Sequence, residues 1–448
     1  MNLIWRAVYR FYRIMSWLIY WSQRRFTFAG WLVLAAFFVC ALGALDMESL
    51  SVYQGYVLLL LLLVVAVVFS WFFRLRYSAV RLLPRFGTAG LAFAYRIRIK
   101  NLTSHIQNDL TLLENPADPR PSFHEWLARQ LAEEKKVRSL RLSRPQQRYN
   151  PFRIAIVSNV QVPPIPPHEE AEVQVFVTPL RRGLLRLEGL TLARTDPFGL
   201  FRAFSKLRLP ETVLILPKRY PLPPIALPGT MKYQEGGVAL ASNVGQSDEF
   251  VALREYRRGD PLRRIHWRSW ARFGKPIVRE YEDEFFARHA LVLDTFSDEP
   301  FSESFEEAVS VAASFASGLS TQESLLDLLF VGSQAYCFTV GRGLAHVDQI
   351  LEILASVRVS VDNTFETLET LALNHVGAVS GCIFVLLAWD EPRRRFVEKV
   401  KALGIPVRVM IILAEEPQKP FDPGPMRDEP EHFHTLITGQ IEEGLARM

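Results

Sequence analysis

The sequence predicts a multidomain chain in three parts: an N-terminal two-helix transmembrane hairpin, an antiparallel β-sandwich, and an α/β doubly wound domain. Three observations carry this expectation. Two uncharged apolar stretches follow one another near the start, at 26–45 and 49–73. Short runs of alternating polar and apolar residues fill the region up to about residue 216. Beyond residue 289, apolar strand-like runs alternate with helical patterns.

An α-helix needs about 20 residues to cross a hydrocarbon core of roughly 30 Å. The first apolar stretch has 20 residues without a charge and the second has 25, including the aliphatic run Leu58 to Val68. The connector Asp46-Met47-Glu48 is acidic. Arg6, Arg10, Arg13, Arg24 and Arg25 precede the first stretch, and Arg74, Arg76, Arg81 and Arg85 follow the second. Positive charge on both flanks puts both ends of the hairpin on the cytoplasmic side. No cleaved leader is expected, because the first stretch is too long, a second follows at once and no A-x-A site separates them. The hairpin is bounded at 26–78, with helices over 26–45 and about 52–73. The preceding segment, 1–25, interleaves arginines with Trp, Tyr and Ile. It fits either a helix lying among lipid headgroups or an aromatic extension of the first spanning helix.

Period-two runs such as Phe93-Ala94-Tyr95-Arg96-Ile97-Arg98-Ile99 and Val173-Gln174-Val175-Phe176-Val177 predict the sandwich over 79–217. Within it, 118–150 is dense in Arg, Glu and Gln and reads as an inserted helix or a solvated excursion. The Pro- and Gly-rich stretch 218–247 lacks periodicity and marks a linker. A basic motif follows at 248–288 and is expected to pack on the next domain. From 289 to 428, strands at 290–293, 325–331, 383–387 and 407–413 are separated by helical patterns, which means a mainly parallel sheet. Residues 429–448 are expected to form a C-terminal helix or tail.

A chain of 448 residues exceeds the roughly 250–300 at which single cores stop growing. With 49% hydrophobic and 22% charged residues, disorder is excluded as the main state. Cys40, Cys337 and Cys382 form neither an even set nor a CxxC pair, so a disulfide framework and a zinc knuckle are both unsupported and a reducing compartment fits. The net charge of +5 is modest and unevenly placed, so no nucleic-acid partner is expected. No GxSxG elbow, HExxH helix, P-loop or GxGxxG fingerprint is present.

Nine basic residues lie between Arg254 and Arg279 against only Glu255 and Asp260, and Glu280, Glu282, Asp283 and Glu284 follow at once. Such density needs an anionic counterpart, either internal carboxylates that lock two layers together or an external anion or partner protein. Asp260 is placed to N-cap a helix begun by Pro261 and ended by Gly274, which aligns Arg264, Arg268 and Arg272 in one stripe. His266 with Asp260 or Glu255 offers a base and its orienter, or else a histidine hydrogen-bonded inside an interface.

Leu253-Arg254-Glu255-Tyr256, Gly259-Asp260 followed by Arg263-Arg264-Ile265-His266-Trp267, and Val278-Arg279-Glu280 resemble the bacterial domain of unknown function 58 family. Arg182-Gly183 leading into Asp196-Pro197-Phe198-Gly199-Leu200-Phe201, and the two apolar helices ahead, agree with it. The resemblance runs from Phe26 to about Leu413. It implies a bacterial membrane protein, and with the charge bias above the expected location is the inner (cytoplasmic) membrane with both termini in the cytoplasm. It also implies a C-terminal region similar to a von Willebrand factor type A domain, and relatives often encoded beside MoxR-type AAA+ ATPases. Such a domain holds a divalent cation, usually Mg2+, through Asp-x-Ser-x-Ser after its first strand. Asp294 matches the first of these positions; the next two fall on Phe296, which cannot ligate, and Asp298, with Asp390 as a further donor. The motif residues that the resemblance marks for interaction are Arg254, Glu255, Tyr256, Gly259, Asp260, Arg263, Ile265, His266, Trp267, Arg272, Arg279 and Glu280. No catalytic residue is assigned.

The function expected is that of a membrane-anchored cytoplasmic adaptor or assembly protein. Its partners would be the lipid bilayer and a protein such as a MoxR-type AAA+ ATPase, in envelope or complex assembly. The alternative is a membrane-bound enzyme or anion sensor using the Arg254 to Arg279 cluster with His266 and Asp260.

Overall fold

The computed structural model describes every residue except 1, 44–49, 119, 139–153, 224–249, 259, 261, 263–264, 282–287, 298–301, 320–324, 341–343, 361–363, 378 and 418–421. The chain divides into two compact units: Met1–Lys218 forms the body of the first, and Arg219–Asp298, Ser302–Ile353 and Val357–Met448 make the second. Most of the expected linker, 218–247, lies outside the described residues, as does the acidic run Glu282-Asp283-Glu284.

The first unit opens with helices α1 (Asn2–Arg25), α2 (Phe28–Gly43) and α3 (Leu50–Phe72). Within α3, Val52–Phe72 is long and apolar enough to span a membrane. Helix α2 is apolar but only 16 residues long, shorter than the 20 expected. Its start is set by Thr27, whose hydroxyl accepts the Gly30 N–H at 3.0 Å and so acts as an N-cap. Phe37 of α2 stacks on Tyr56 of α3 with ring centroids 5.1 Å apart. Helix α1 is a separate helix, not an extension of α2.

The sheet-rich part follows as β1 (Tyr77–Leu82), β2 (Phe86–Thr88), β3 (Phe93–Asn101), β4 (Leu110–Pro116), α4 (Phe123–Arg138), β5 (Ala155–Val157), β6 (Val160–Val162), β7 (Glu170–Pro179), β8 (Gly183–Thr195) and β9 (Arg202–Leu216). The described part of the insertion at 118–150 is thus a helix. Four strands pair in the order β1-β3-β7-β5 and five in the order β2-β9-β8-β4-β6. In β3 the alternation expected from sequence is met: Tyr95, Ile97 and Ile99 are buried, while Arg96, Arg98 and Lys100 are exposed. These residues share one core with Leu110, Leu112, Leu185, Leu187, Leu190 and Leu192 of the other sheet.

A buried ion pair ties the two sheets. The Arg81 guanidinium of β1 donates through Nε and Nη2 to the Glu114 carboxylate of β4, at 3.0 and 2.9 Å, and both side chains are wholly buried. Tyr95 of β3 donates its hydroxyl to the same carboxylate at 2.5 Å. Burial, with Glu114 alongside, pushes the Tyr95 hydroxyl far above its ordinary pKa, so it remains a donor.

The turn joining β8 to β9 explains the Asp196 to Phe201 motif. Asp196 Oδ1 accepts the N–H groups of Leu200 and Phe201 at 2.6 and 3.2 Å, closing the turn on itself. The Leu200 carbonyl then accepts the Thr27 N–H at 3.1 Å. A Cβ on Gly30 would stand 2.2 Å from that same oxygen, so glycine is required for the first turn of α2 to approach. Helix α1 is fastened to the same unit by aromatic contacts: Tyr9 meets Phe123 and Trp126 of α4, each at 5.5 Å.

The second unit contains β10 (Phe250–Glu255), α5 (Trp267–Phe273), β11 (Ile277–Tyr281), β12 (Arg288–Leu293), α6 (Glu303–Leu319), β13 (Leu325–Val331), β14 (Ala335–Val340), α7 (Leu344–Ser356), α8 (Phe365–Val376), β15 (Gly381–Leu386), α9 (Glu391–Ala402), β16 (Val407–Leu413), β17 (Phe433–Ile437) and α10 (Ile441–Ala446). Six strands form one sheet in the order β14-β13-β12-β15-β16-β17. All neighbours are parallel except the edge strand β14, which runs antiparallel to β13. Residues 429–448 are therefore not simply a helix or tail. Phe433–Ile437 completes the sheet, because Leu436 fills its core while α10 closes over the end with Ile441 and Leu445 buried.

Strands β12, β15 and β16 are buried along nearly their whole length, as parallel strands covered on both faces must be. One face holds Val292, Phe384 and Val409 against Leu368 and Ala372 of α8 and Phe396 and Val400 of α9. Helix α6 contacts β12, β15 and β16. The first strand lies between β13 and β15, so successive crossovers leave β12 in opposite directions. The C-terminal end of β12 is the topological switch point, where open α/β sheets place their sites.

His289 in β12 is fully buried, and neither ring nitrogen has a hydrogen-bond partner among the described residues. Burial pushes its pKa down from 6.5 to about 4. Above about pH 6.5 the ring is neutral in folded and unfolded chain alike. As the pH falls from 6.5 towards 4, the unfolded chain takes up the proton first, so stability declines and levels off below about pH 4. Hydrogen exchange of the β12 amides in the full-length protein is expected to show a loss of roughly 2–3 kcal/mol between pH 7 and pH 4.5. His289→Leu should flatten that profile; parallel profiles for the two proteins would contradict the origin assigned to it.

Candidate functional site

Two places in the second unit gather the residues that the sequence marks. The first is the antiparallel pair β10 and β11, in which Leu253 faces Arg279 and Arg254 faces Val278. Ile265 is buried and forms an isolated bridge to Val278, and the His266 N–H donates to the Ile277 carbonyl at 2.8 Å. The connecting segment is thereby tied back along β11.

Asp260 does not cap α5 (Trp267–Phe273), whose cap position is held by His266. Its carboxylate accepts both Nη1 and Nη2 of Arg254 at 2.8 Å and the Arg257 N–H at 2.7 Å. The Arg254 fork and the Arg257 amide hold its pKa down at about 2. The helix α5 accordingly begins at Trp267, with His266 in the cap position, and covers only seven residues. Gly274 ends it in a left-handed conformation, φ 69°. Of the expected arginine stripe, Arg268 and Arg272 lie on α5, and Arg264 lies outside the described residues.

His266 Nδ1 lies 2.6 Å from the buried Ser269 hydroxyl. Asp260 is engaged by Arg254, and Glu255 by Lys275 at 3.2 Å. No base-and-orienter pair joins His266 to Asp260 or Glu255 among the described residues. The Tyr256 N–H donates to the Pro276 carbonyl at 2.9 Å. Gly259 and Arg263 lie outside the described residues, and Glu280 is described only as part of β11.

The hairpin leaves large apolar groups in solvent. Trp267 is 65% exposed, Leu262 68% and Phe273 64%. Trp267 stacks on Trp270 with centroids 5.3 Å apart and planes 16° from parallel. Arg257, Arg258, Arg268, Arg272, Lys275 and Arg279 are all exposed on the same short stretch of chain. An arginine- and tryptophan-rich exposed surface has the composition of interface cores.

The second place is the switch point. Asp294 follows β12 directly and is fully buried. Its Oδ1 accepts the Phe296 N–H at 3.0 Å, and its Oδ2 accepts the Leu387 N–H at 3.0 Å. Oδ2 also accepts Nε of Arg393 at 2.6 Å. Asp390 caps α9 by accepting the Arg393 N–H at 3.2 Å and takes Nη1 of the same guanidinium at 2.6 Å. The Phe365 ring lies 4.9 Å from the guanidinium carbon. Burial alone would lower the pKa of Arg393; the charges and hydrogen bonds of Asp294 and Asp390 outweigh it and raise the value.

These residues do not fit the Mg2+ site implied by the resemblance. Asp294 and Asp390 are both paired with Arg393, and Phe296 offers no side-chain oxygen. Asp298 lies outside the described residues. No group of three or more His, Cys, Asp or Glu that could hold a metal ion occurs among the described residues. Arg393 was not singled out from sequence. The available signal was the spacing of Asp390 and Arg393, three apart at a helix start.

Residues 252–388 match the family described as "Protein of unknown function DUF58". A curated relative, the uncharacterised protein YeaD of Bacillus subtilis (strain 168), is 26% identical over 178 residues, which is 39% of this chain. The match spans 42% of the length of that relative. Among solved structures, a mutant Salmonella alpha-2-macroglobulin is 16% identical over 34% of this chain and 8% of its own, with a TM-score of 0.19. An aerotolerance-related membrane protein from Bacteroides fragilis is 10% identical over 36% of this chain and 100% of its own, with a TM-score of 0.23. Overlaps that small assign no fold.

Asp260→Asn keeps the shape of the side chain and removes the charge that holds the Arg254 fork. Hydrogen exchange at the Tyr256, Arg257 and Ile265 amides is expected to speed up roughly five- to tenfold, with the β12 amides unchanged. Exchange equal to the unaltered protein would show that the pair does not hold this segment.

Proposed function

We propose that this chain, which carries a DUF58 region over residues 252–388, is a membrane-anchored adaptor that docks a partner protein through its β10–β11 hairpin. The observation that carries the proposal is the solvent-exposed Trp267, stacked on the half-buried Trp270 among exposed arginines. Leaving a Trp, a Phe and a Leu in water loses burial energy that a partner would restore, at roughly 25 cal/mol per Å2 of apolar surface covered. The arginines ask for an acidic counterpart, and they steer it to the hairpin before the aromatic contacts form.

Helices α2 and α3 serve as a transmembrane hairpin, with 26–45 and about 52–73 crossing the inner membrane of a bacterium and both termini in the cytoplasm. The apolar length of α3, the Phe37–Tyr56 contact and the arginines on both flanks support this placement. We read the second unit as von Willebrand factor A-like; its mainly parallel six-stranded sheet with an antiparallel edge strand supports that reading. The partner suggested by the family resemblance is a MoxR-type AAA+ ATPase. The enzyme or anion-sensor reading is less well supported, because Arg254, Asp260 and His266 each bond within the hairpin.

The test uses the full-length protein in nanodiscs and the purified MoxR-type ATPase of the same bacterium. Trp267→Ala is expected to weaken binding about 10- to 30-fold, or about 1.4–2 kcal/mol. Unchanged affinity in Trp267→Ala, or no measurable binding by the unaltered protein, would overturn the proposal.

A further inference from the structure

A carboxylate buried at the C-terminal end of a central parallel strand is costly unless a positive charge stands beside it. The family resemblance implies that a divalent cation would supply that charge at Asp294, with oxygen ligands at about 2.0–2.1 Å for Mg2+. Here Arg393 Nε stands 2.6 Å from Asp294 Oδ2. A cation at bonding distance from Oδ2 on that side would collide with the guanidinium, and Asp294 is 0% exposed, so no hydrated ion reaches its other side.

The guanidinium is held on three sides. Nε meets Asp294 and Nη1 meets Asp390, both at 2.6 Å, and the Phe365 ring packs against the guanidinium carbon. The Arg393 side chain is only 10% exposed. Through these contacts and the Leu387 and Phe296 amides, the Asp294 carboxylate joins the ends of β12 and β15 to the first turn of α9.

We infer that Arg393 is a built-in substitute for the divalent cation, so that the switch-point site is closed by a charge that belongs to the chain and takes no Mg2+. A guanidinium does not deprotonate in a protein, and it does not dissociate as a bound metal does. The charge at this site is therefore fixed, and recognition by the second unit is insensitive to divalent cations. This inference is independent of which partner the β10–β11 hairpin takes.

The experiment uses the full-length protein in detergent micelles with Mn2+ as a spectroscopic probe and Mg2+ in thermal melts. The unaltered protein is expected to show the same Mn2+ titration by electron paramagnetic resonance as Asp294→Asn, and the same Tm in EDTA as in excess Mg2+. Arg393→Ser opens the space. It is expected to lower the Tm and to gain an Mg2+-dependent rise in Tm, which the added change Asp294→Asn removes. Arg393→Lys, which keeps the charge, should recover part of the lost Tm without Mg2+. Saturable Mn2+ binding by the unaltered protein that is lost in Asp294→Asn would overturn the inference. So would an Arg393→Ser protein that melts at the unaltered Tm, or one that melts alike with and without Mg2+. The Mn2+ comparison decides the matter on its own if Arg393→Ser does not fold.

Discussion

The buried charge of Asp294 is the constraint around which the second unit is arranged. A carboxylate with no exposed surface must be neutralised and hydrogen-bonded where it stands. The two backbone amides and one guanidinium that do so come from three different places in the chain. Satisfying Asp294 therefore fixes where β15 ends and how α9 starts. Asp390 then has two tasks at once, capping α9 and orienting Arg393. Below this cluster the sheet is mainly apolar on both faces, with His289, Asp327 and Arg408 as buried exceptions, which is why its strands read as nearly continuous hydrophobic runs.

The first unit has a comparable buried charge in Arg81 and Glu114, with Tyr95 as the third member. That group lies between two sheets whose shared core is mainly aliphatic, with Tyr77 adding a hydroxyl bond to the Leu190 carbonyl at 3.1 Å. Directional bonds of this kind add register to a core that packing alone would leave free to slide. The Asp196 to Phe201 turn serves α2 in a related way. Its carbonyls bond the first turn of the helix, and Gly30 permits the approach. The DPFG sequence is thus accounted for by local backbone bonding.

Much of this was legible in the sequence wherever a single period or a single composition decided the outcome. The alternation in Phe93 to Ile99, the apolar runs of β12, β15 and β16, and the uncharged length of α3 each announce one structure. Legibility failed where a side chain chose a distant partner over a local one. Asp260 has the spacing of an N-cap, but its carboxylate meets the Arg254 fork, and α5 begins at Trp267. Asp294 could be picked out as a strand-end carboxylate, but the residue that answers its charge is 99 positions away. The strand Phe433–Ile437 is short and half polar, and only its pairing with β16 makes it a strand. What the hairpin leaves in solvent was partly visible, since Trp267 and the arginines are prominent in the sequence. The stacking of the exposed Trp267 indole on the half-buried Trp270 was not.

The central claim is that the Asp294 charge is balanced by Arg393 within the chain. The most direct measurement is their coupling energy, from a double-mutant cycle of Asp294→Asn and Arg393→Gln in the full-length protein without divalent cations. Unfolding would be followed by hydrogen exchange at the β15 and β16 amides. A coupling of about 2–3 kcal/mol is predicted, with the double variant more stable than the sum of the single losses implies. Additive losses, with a coupling near zero, would contradict the claim.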